Sequence, residues 1–159
     1  MFTSDKPYNI LLTEDNPAEV RLIQEAMKEA DLSDSVDLEV CYDGEEAAEF
    51  LNTAKLLNKK IDLVLLDLNM PRISGKEVLD MVKTDEVLQS IPVIVVTNSD
   101  YKKDMIDCYR KNADGYMQKP ADYKKLVDFF TSVKRSIEVK HKLSIYYIEK
   151  VYDELRVAV

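Results

Sequence analysis

The stretch Leu63-Val64-Leu65-Leu66-Asp67-Leu68-Asn69-Met70-Pro71 decides the predicted fold. Its four leading apolar residues suit a strand that is covered on both faces, as in the parallel sheet of an α/β protein. Pro71 cannot continue such a strand, so we expect the strand to end near Asp67. In an open α/β sheet the ligand crevice lies at the carboxyl ends of the strands. Asp67 is therefore expected in a functional crevice, although an Asp after a strand is often only a turn former.

Five strand patterns alternate with five helical patterns along the chain. Such alternation predicts a parallel, doubly wound sheet with helices on both faces and right-handed crossovers. For five strands we expect an α/β domain with the flavodoxin-like order 2-1-3-4-5. The strands are predicted at residues 8–13, 36–41, 62–66, 92–96 and 113–118, and the helices at 17–30, at 44–57, from 75 onward, at 100–111 and at 122–137.

The composition favours one domain that binds neither nucleic acid nor a membrane. The chain has 159 residues, 46% of them apolar, and its net charge of −8 argues against binding nucleic acid by charge. No stretch reaches the roughly 20 apolar residues of a membrane span, and residues 2–6 show no signal-peptide pattern. Cys41 and Cys108 suggest no disulfide framework, so we expect a reduced, cytoplasmic protein.

Polar residues follow four of the predicted strands. Strands 1, 3, 4 and 5 lie side by side in the expected order, so their ends should share one crevice that contains Glu14 with Asp15, Asp67, Thr97 and Lys119. Neighbouring carboxylates repel one another, and Mg²⁺ relieves this repulsion while leaving room for a phosphate. A carboxylate can also be a nucleophile that forms an aspartyl phosphate. The metal, Lys119 and the Thr97 hydroxyl would then neutralise the three outer phosphoryl oxygens.

This ordered set of residues resembles the receiver domain of two-component response regulators, over roughly residues 6–138. The resemblance implies a protein that accepts a phosphoryl group from a sensor histidine kinase and catalyses only its own phosphorylation and dephosphorylation. Glu14 stands where an Asp is more usual, a variation that lengthens one metal ligand. The residues that carry the resemblance are Glu14-Asp15, Asp67 in Asp-Leu-Asn-Met-Pro, Gly75, Thr97, Tyr116 and Lys119-Pro120.

The resemblance also implies a role for each site residue. Asp67 would accept the phosphoryl group, and Thr97 and Lys119 would contact it. Tyr116 would be the aromatic switch residue, which turns inward when the Thr97 hydroxyl moves to the phosphoryl group. Mg²⁺ is implied as the cofactor, with four ligands: Glu14, Asp15, Asp67 and the backbone carbonyl of Asn69.

Phosphorylation would change the shape of the face formed by the helix at 100–111, the strand at 113–118 and the helix at 122–137. A two-state element of this kind is biased by one covalent charge. We expect the changed face to control homodimer formation or the docking of a partner.

Residues 1–140 are assigned to the receiver domain, and residues 141–159 to a C-terminal helical extension that is not a separate domain. The extension carries an apolar stripe at helical spacing, formed by Ile148, Val151, Tyr152 and Leu155. We expect this helix either to fold back on its own domain or to pack against a second subunit. A receiver extended in this way is similar to the single-domain regulators paired with phytochrome-like and other sensor kinases.

Two other functions fit the same fold. A doubly wound phosphatase with an Asp nucleophile usually needs a second acid two residues on, and Asn69 occupies that position. A scaffold with an inactive receiver fold would be expected to lack at least one residue of the set Asp15, Asp67, Thr97 and Lys119. All four are present, so the phosphorylated switch is favoured over both alternatives.

Overall fold

The sheet consists of five parallel strands, in a computed structural model that describes residues 8–99, 102–119 and 122–138. The strand order β2-β1-β3-β4-β5 confirms the predicted flavodoxin-like arrangement. Strands β3 and β4 each begin one residue later than predicted. The strands are β1 (Tyr8–Thr13), β2 (Val36–Cys41), β3 (Leu63–Leu66), β4 (Val93–Thr97) and β5 (Gly115–Gln118).

The first three helices begin where the sequence supplies a capping side chain. The Asn16 side chain accepts a hydrogen bond from the Ala18 amide at 3.0 Å, and Pro17 occupies the first helical position. Ser74 and Glu77 form a reciprocal capping box. A short 3₁₀ turn at Leu88–Ser90 was not predicted. The helices are α1 (Pro17–Glu29), α2 (Gly44–Leu56), α3 (Gly75–Thr84), α4 (Lys102–Arg110) and α5 (Tyr123–Glu138).

Both faces of the sheet are covered, as the apolar strand sequences predict. All four residues of β3 are buried. Leu63 and Leu65 pack in a core cluster with residues of α1 and α5, whereas Val64 and Leu66 pack in a second cluster with residues of α2, α3 and α4. This alternation follows from the period-2 geometry of a strand. The central strand is therefore fixed from two sides, and the residue that follows it is held with it.

The backbone ladder continues one residue beyond three strand ends. The amides of three predicted site residues donate to the last residue of the neighbouring strand: Glu14 to the Cys41 carbonyl at 3.0 Å, Asp67 to that of Thr13 at 3.1 Å, and Lys119 to that of Thr97 at 2.7 Å. Ladder hydrogen bonds fix the position of a backbone closely. The three side chains therefore start from neighbouring, well-determined points at one edge of the sheet.

Two glycines let the loop at residues 67–74 pack tightly. A Cβ atom on Gly75 would lie 2.1 Å from the Asp67 carbonyl oxygen, and one on Gly44 would lie 1.8 Å from the carbonyl oxygen of Ile73. Arg72, within the loop, pairs with Glu45 of α2 at 2.8 Å. The starts of α2 and α3 therefore hold the backbone of the loop, including the carbonyl of Asp67.

The predicted helical extension at residues 141–159 lies outside the described residues, as does the domain boundary placed after residue 140. Both stay predictions. Within the part of the chain that the structure describes, no helix combines the length and apolar character that crossing a membrane requires.

Replacing Gly75 by Ala should displace the loop that carries Asp67. We expect Gly75→Ala to lower the free energy of unfolding by about 2–4 kcal/mol, because the new methyl group would collide with a backbone oxygen. Urea denaturation measures this loss. The control is Asp80→Ala, which removes only an exposed ion pair with Lys111 and should change stability by about 0.5 kcal/mol or less. Wild-type stability in Gly75→Ala would contradict the close packing.

Candidate functional site

Three carboxylates converge at the carboxyl edge of the sheet. One carboxylate oxygen from each of Glu14, Asp15 and Asp67 lies within 4.8 Å of the others. Glu14 and Asp67 are only 1% and 5% exposed, whereas Asp15 is exposed to solvent. The strand order places β1 beside β3, so the predicted meeting of these residues takes place.

Lys119 follows β5 and reaches the same cluster. Its ammonium group forms a very short hydrogen bond to Glu14 and lies 3.5 Å from Oδ2 of Asp67. The lysine side chain is only 9% exposed. Burial disfavours the charged form of Lys119, but the hydrogen bond to Glu14 and the nearby carboxylate charges outweigh burial and raise its pKa. Lys119 therefore stays protonated between two buried acids.

Among the three carboxylates, Glu14 has a clearly raised pKa. Burial and the charge of Asp67 raise the pKa of Glu14 to about 7, although Lys119 and the Asn16 amide, which donates to Oε1 at 3.1 Å, act in the opposite direction. The cluster combines three carboxylates with one ammonium group, so its formal charge is negative. Oxygen ligands with excess negative charge are what a hard divalent cation prefers, so the donor set fits Mg²⁺.

Thr97 ends β4, the neighbour of β3, and is completely buried. Its hydroxyl oxygen accepts a hydrogen bond from the Ser99 amide at 3.3 Å. A hydroxyl that accepts one hydrogen bond keeps its own proton free to donate elsewhere. Asn69 is exposed in the loop after Asp67, and the metal-binding role of its carbonyl stays a prediction.

Tyr116 lies with its ring inside the domain, among the core residues on the side of α2, α3 and α4. Its hydroxyl donates to the Ser99 carbonyl at 3.1 Å. Burial raises the pKa of Tyr116 to about 12, so the phenol stays protonated and remains a donor. The resemblance associates an inward Tyr116 with switching, and this role of Tyr116 stays a prediction.

Two features of the site were not predicted from the sequence. Glu14 forms an ion pair with Lys119, where the resemblance implied only a longer metal ligand. Ser99 also binds Asp104 of α4 through its hydroxyl at 2.5 Å. Residue spacing predicts neither contact: Glu14 and Lys119 lie 105 positions apart, and Ser99 lies in the loop between β4 and α4, whose path the spacing does not specify.

The parallel sheet and the acidic edge define an α/β receiver. A family model described as the response regulator receiver domain matches residues 10–131, and the chain belongs to this family. The probable methanogenesis regulatory protein FilR2 of Methanothrix harundinacea is 32% identical over 136 residues, which span 85% of this chain and 82% of FilR2. The response regulator Rcp1 of Synechocystis sp. is 36% identical over 125 residues, which span 77% of this chain and 84% of Rcp1.

Solved structures agree with this membership. The phosphorylated cyanobacterial phytochrome response regulator RcpA superimposes with a TM-score of 0.74 at 32% identity, covering 87% of this chain and 99% of that chain. The Mn²⁺-bound form of Rcp1 superimposes with a TM-score of 0.71 at 34% identity, covering 84% of this chain and 96% of that chain. Relatives with this fold have thus been crystallised both phosphorylated and with a divalent metal.

Removing the Asp67 charge should reduce the repulsion between the carboxylates of the cluster. We expect Asp67→Asn to raise the free energy of unfolding in metal-free buffer by about 1 kcal/mol, because Lys119 and Glu14 then form a simple pair. Mg²⁺ should stabilise the variant less than the wild type, since one ligand is lost. Thermal unfolding with a chelator and with Mg²⁺ measures both effects.

The matched control for this variant is Asp34→Asn. It changes an exposed carboxylate just before the start of β2, at the opposite edge of the sheet from the cluster. It should leave both the metal-free stability and the effect of Mg²⁺ unchanged. An Asp67→Asn protein that Mg²⁺ stabilises as strongly as the wild type would contradict the assignment of Asp67 to the metal site.

Proposed function

We propose that the chain works as a single-domain response regulator, in which Asp67 accepts a phosphoryl group from a sensor histidine kinase with Mg²⁺ as cofactor. The observation that carries this proposal is the meeting of Asp67 with two further carboxylates and Lys119 at one sheet edge. Family membership supports a histidine kinase as the donor. The match to RcpA, a response regulator, extends over 99% of that chain and supports the same role for this chain.

The transfer step forms one bond and breaks one bond. A carboxylate oxygen of Asp67 attacks the phosphorus of a phosphohistidine, and the bond from phosphorus to the imidazole nitrogen breaks. The imidazole keeps the electron pair and takes up a proton from solvent, so the leaving group is neutral. The step uses the carboxylate itself as the nucleophile and includes no separate general base.

The surrounding residues stabilise the charge on the transferred group. Lys119 lies 3.5 Å from Asp67 and would pair with one phosphoryl oxygen, and the Thr97 hydroxyl would donate to another. Mg²⁺, when bound, supplies positive charge against the phosphoryl oxygens. Its proposed ligands are Glu14, Asp15, Asp67 and the Asn69 carbonyl.

The output is proposed to follow from movement of Thr97. When its hydroxyl turns to the phosphoryl group, Tyr116 is held inward, and the face formed by α4, β5 and α5 adopts a second shape. This face acts on a partner protein or on a second copy of the chain. The hydrogen bond from Tyr116 to Ser99, two residues after Thr97, supports such a coupling. Residues 141–159 are proposed either to fold back on their own domain or to pack against a second subunit.

The kinase is proposed to be of the phytochrome-like class, because RcpA is described as a phytochrome response regulator. We place this exchange in the cytoplasm, where the free thiols of Cys41 and Cys108 would persist. The phosphatase alternative is not favoured, because Asn69 provides no second acid. The inactive scaffold is not favoured either, because an inactive receiver would be expected to lack at least one of four site residues and this chain has them all: Asp15, Asp67, Thr97 and Lys119.

Native mass spectrometry with Mg²⁺ and a small acyl phosphate tests the proposal. The wild type should gain one phosphoryl group, and Asp67→Asn should gain none, because its amide cannot act as the nucleophile. Asp34→Asn serves as the control and should gain one group. The same spectra give the number of subunits, so a dimer that appears only with phosphate would identify self-association as the output. Phosphate uptake by Asp67→Asn at the wild-type rate would refute the assignment.

A further inference from the structure

Lys76 of α3 forms ion pairs with Asp104 and Asp107 of α4, and this set of ion pairs is called the bridge below. Its ammonium group lies 2.5 Å from Oδ1 of Asp104 and 3.0 Å from Oδ2 of Asp107. All three side chains are between 26% and 29% exposed, so the bridge is sheltered from solvent but not fully buried. The hydrogen bond to Asp104 raises the pKa of Lys76, and the same bond lowers the pKa of Asp104. Both groups therefore remain charged at neutral pH.

The base of Lys76 is tied to the Asp67 loop. The preceding residue, Gly75, packs so closely against this loop that an added Cβ would lie 2.1 Å from the Asp67 carbonyl oxygen. The Gly75 amide also donates to the Leu68 carbonyl at 3.0 Å. The backbone at Asp67 is thus in direct contact with the start of α3, one residue before Lys76.

The far end of the bridge leads to Ser99. Asp104, which pairs with Lys76, binds the Ser99 hydroxyl at 2.5 Å through its second oxygen. Ser99 uses its backbone for both proposed switch residues: its amide donates to the Thr97 hydroxyl oxygen at 3.3 Å, and its carbonyl accepts from Tyr116 at 3.1 Å. Ser99 therefore has one contact each with Thr97, Tyr116 and the bridge.

We propose that Lys76 and Asp104 are positioning residues that fix Ser99, and that Ser99 in turn holds Tyr116 in the inward position that the proposed function assigns to the phosphorylated state. The route runs from the Asp67 loop through Gly75 and Lys76 to α4 and back to the site. This inference deepens the proposed function and rests on it for the roles of Thr97 and Tyr116. None of these contacts requires a bound metal or phosphoryl group.

Linkage gives the direction of the effect. Contacts that stabilise the inward position of Tyr116 stabilise any phosphorylated state that shares it, and phosphorylation stabilises those contacts in return. Breaking the bridge should therefore loosen Ser99, change the surroundings of Tyr116 and reduce phosphate uptake together. A bridge that only ties two helices would lower the melting temperature without these changes.

The experiment compares Lys76→Met and Asp104→Ala with a matched control. Lys111→Met also breaks an ion pair, the one that joins the residue after α4 to Asp80 of α3 at 3.3 Å. This pair lies past the C-terminal end of α4, whereas Lys76 pairs with the first turn of α4. NMR measures the hydrogen exchange of the Ser99 amide and the ring resonances of Tyr116 in the full chain. Mass spectrometry with Mg²⁺ and a small acyl phosphate then measures the phosphorylated fraction.

We expect Lys76→Met and Asp104→Ala to speed exchange of the Ser99 amide by about fivefold, to shift the Tyr116 ring resonances and to lower the phosphorylated fraction. Lys111→Met should do none of these. Lys76→Arg should restore wild-type behaviour, because a guanidinium can bridge two carboxylates, and this rescue excludes simple misfolding.

Three results would overturn this inference, and a fourth would overturn the phosphoacceptor proposal instead. Wild-type Ser99 exchange and Tyr116 resonances in Lys76→Met would overturn the inference, as would equal changes in Lys111→Met. Altered Ser99 and Tyr116 signals with unchanged phosphate uptake would also overturn it, because the bridge would then not favour phosphorylation. If the wild type itself takes up no phosphate while the NMR changes occur, the phosphoacceptor proposal fails and the structural coupling stands.

Discussion

The ammonium group of Lys119, held between Glu14 and Asp67, is the interaction on which the rest of the site depends. Burial of a carboxylate without a positive partner costs several kcal/mol, and here two carboxylates are buried together. One lysine pairs with both, and burial, together with the charge of Asp67, still raises the pKa of Glu14 to about 7. The site is therefore stable enough to form and still negative enough to attract a second cation.

The fold provides this arrangement through its backbone. The ladder hydrogen bonds of Glu14, Asp67 and Lys119 to neighbouring strands leave little freedom in where the three side chains begin. The close approach of Gly75 to the Asp67 carbonyl fixes the same point from the other side. Strand order and loop packing thus hold the charged side chains together. Burial of apolar side chains on both faces of the sheet stabilises the fold and offsets the cost of burying these charges.

Much of this architecture could be predicted because it follows from local patterns. The apolar run at 63–66 predicted a central strand, and the polar residues after four strands predicted the set Glu14, Asp15, Asp67, Thr97 and Lys119. The preference of Lys119 for Glu14 could not be predicted, since it depends on side-chain reach across two strands. The bridge from Lys76 to Asp104 depends likewise on how α3 and α4 pack, which no residue spacing along the chain specifies.

The central claim is that Asp67, and no other carboxylate, carries the phosphoryl group. Borohydride reduction of the phosphorylated protein converts an aspartyl phosphate into homoserine, and fragmentation of the tryptic peptide 61–72 separates Asp62 from Asp67. We predict homoserine at position 67, with Asp62 intact. Homoserine at Asp15 or at Asp62, with position 67 unmodified, would contradict the claim.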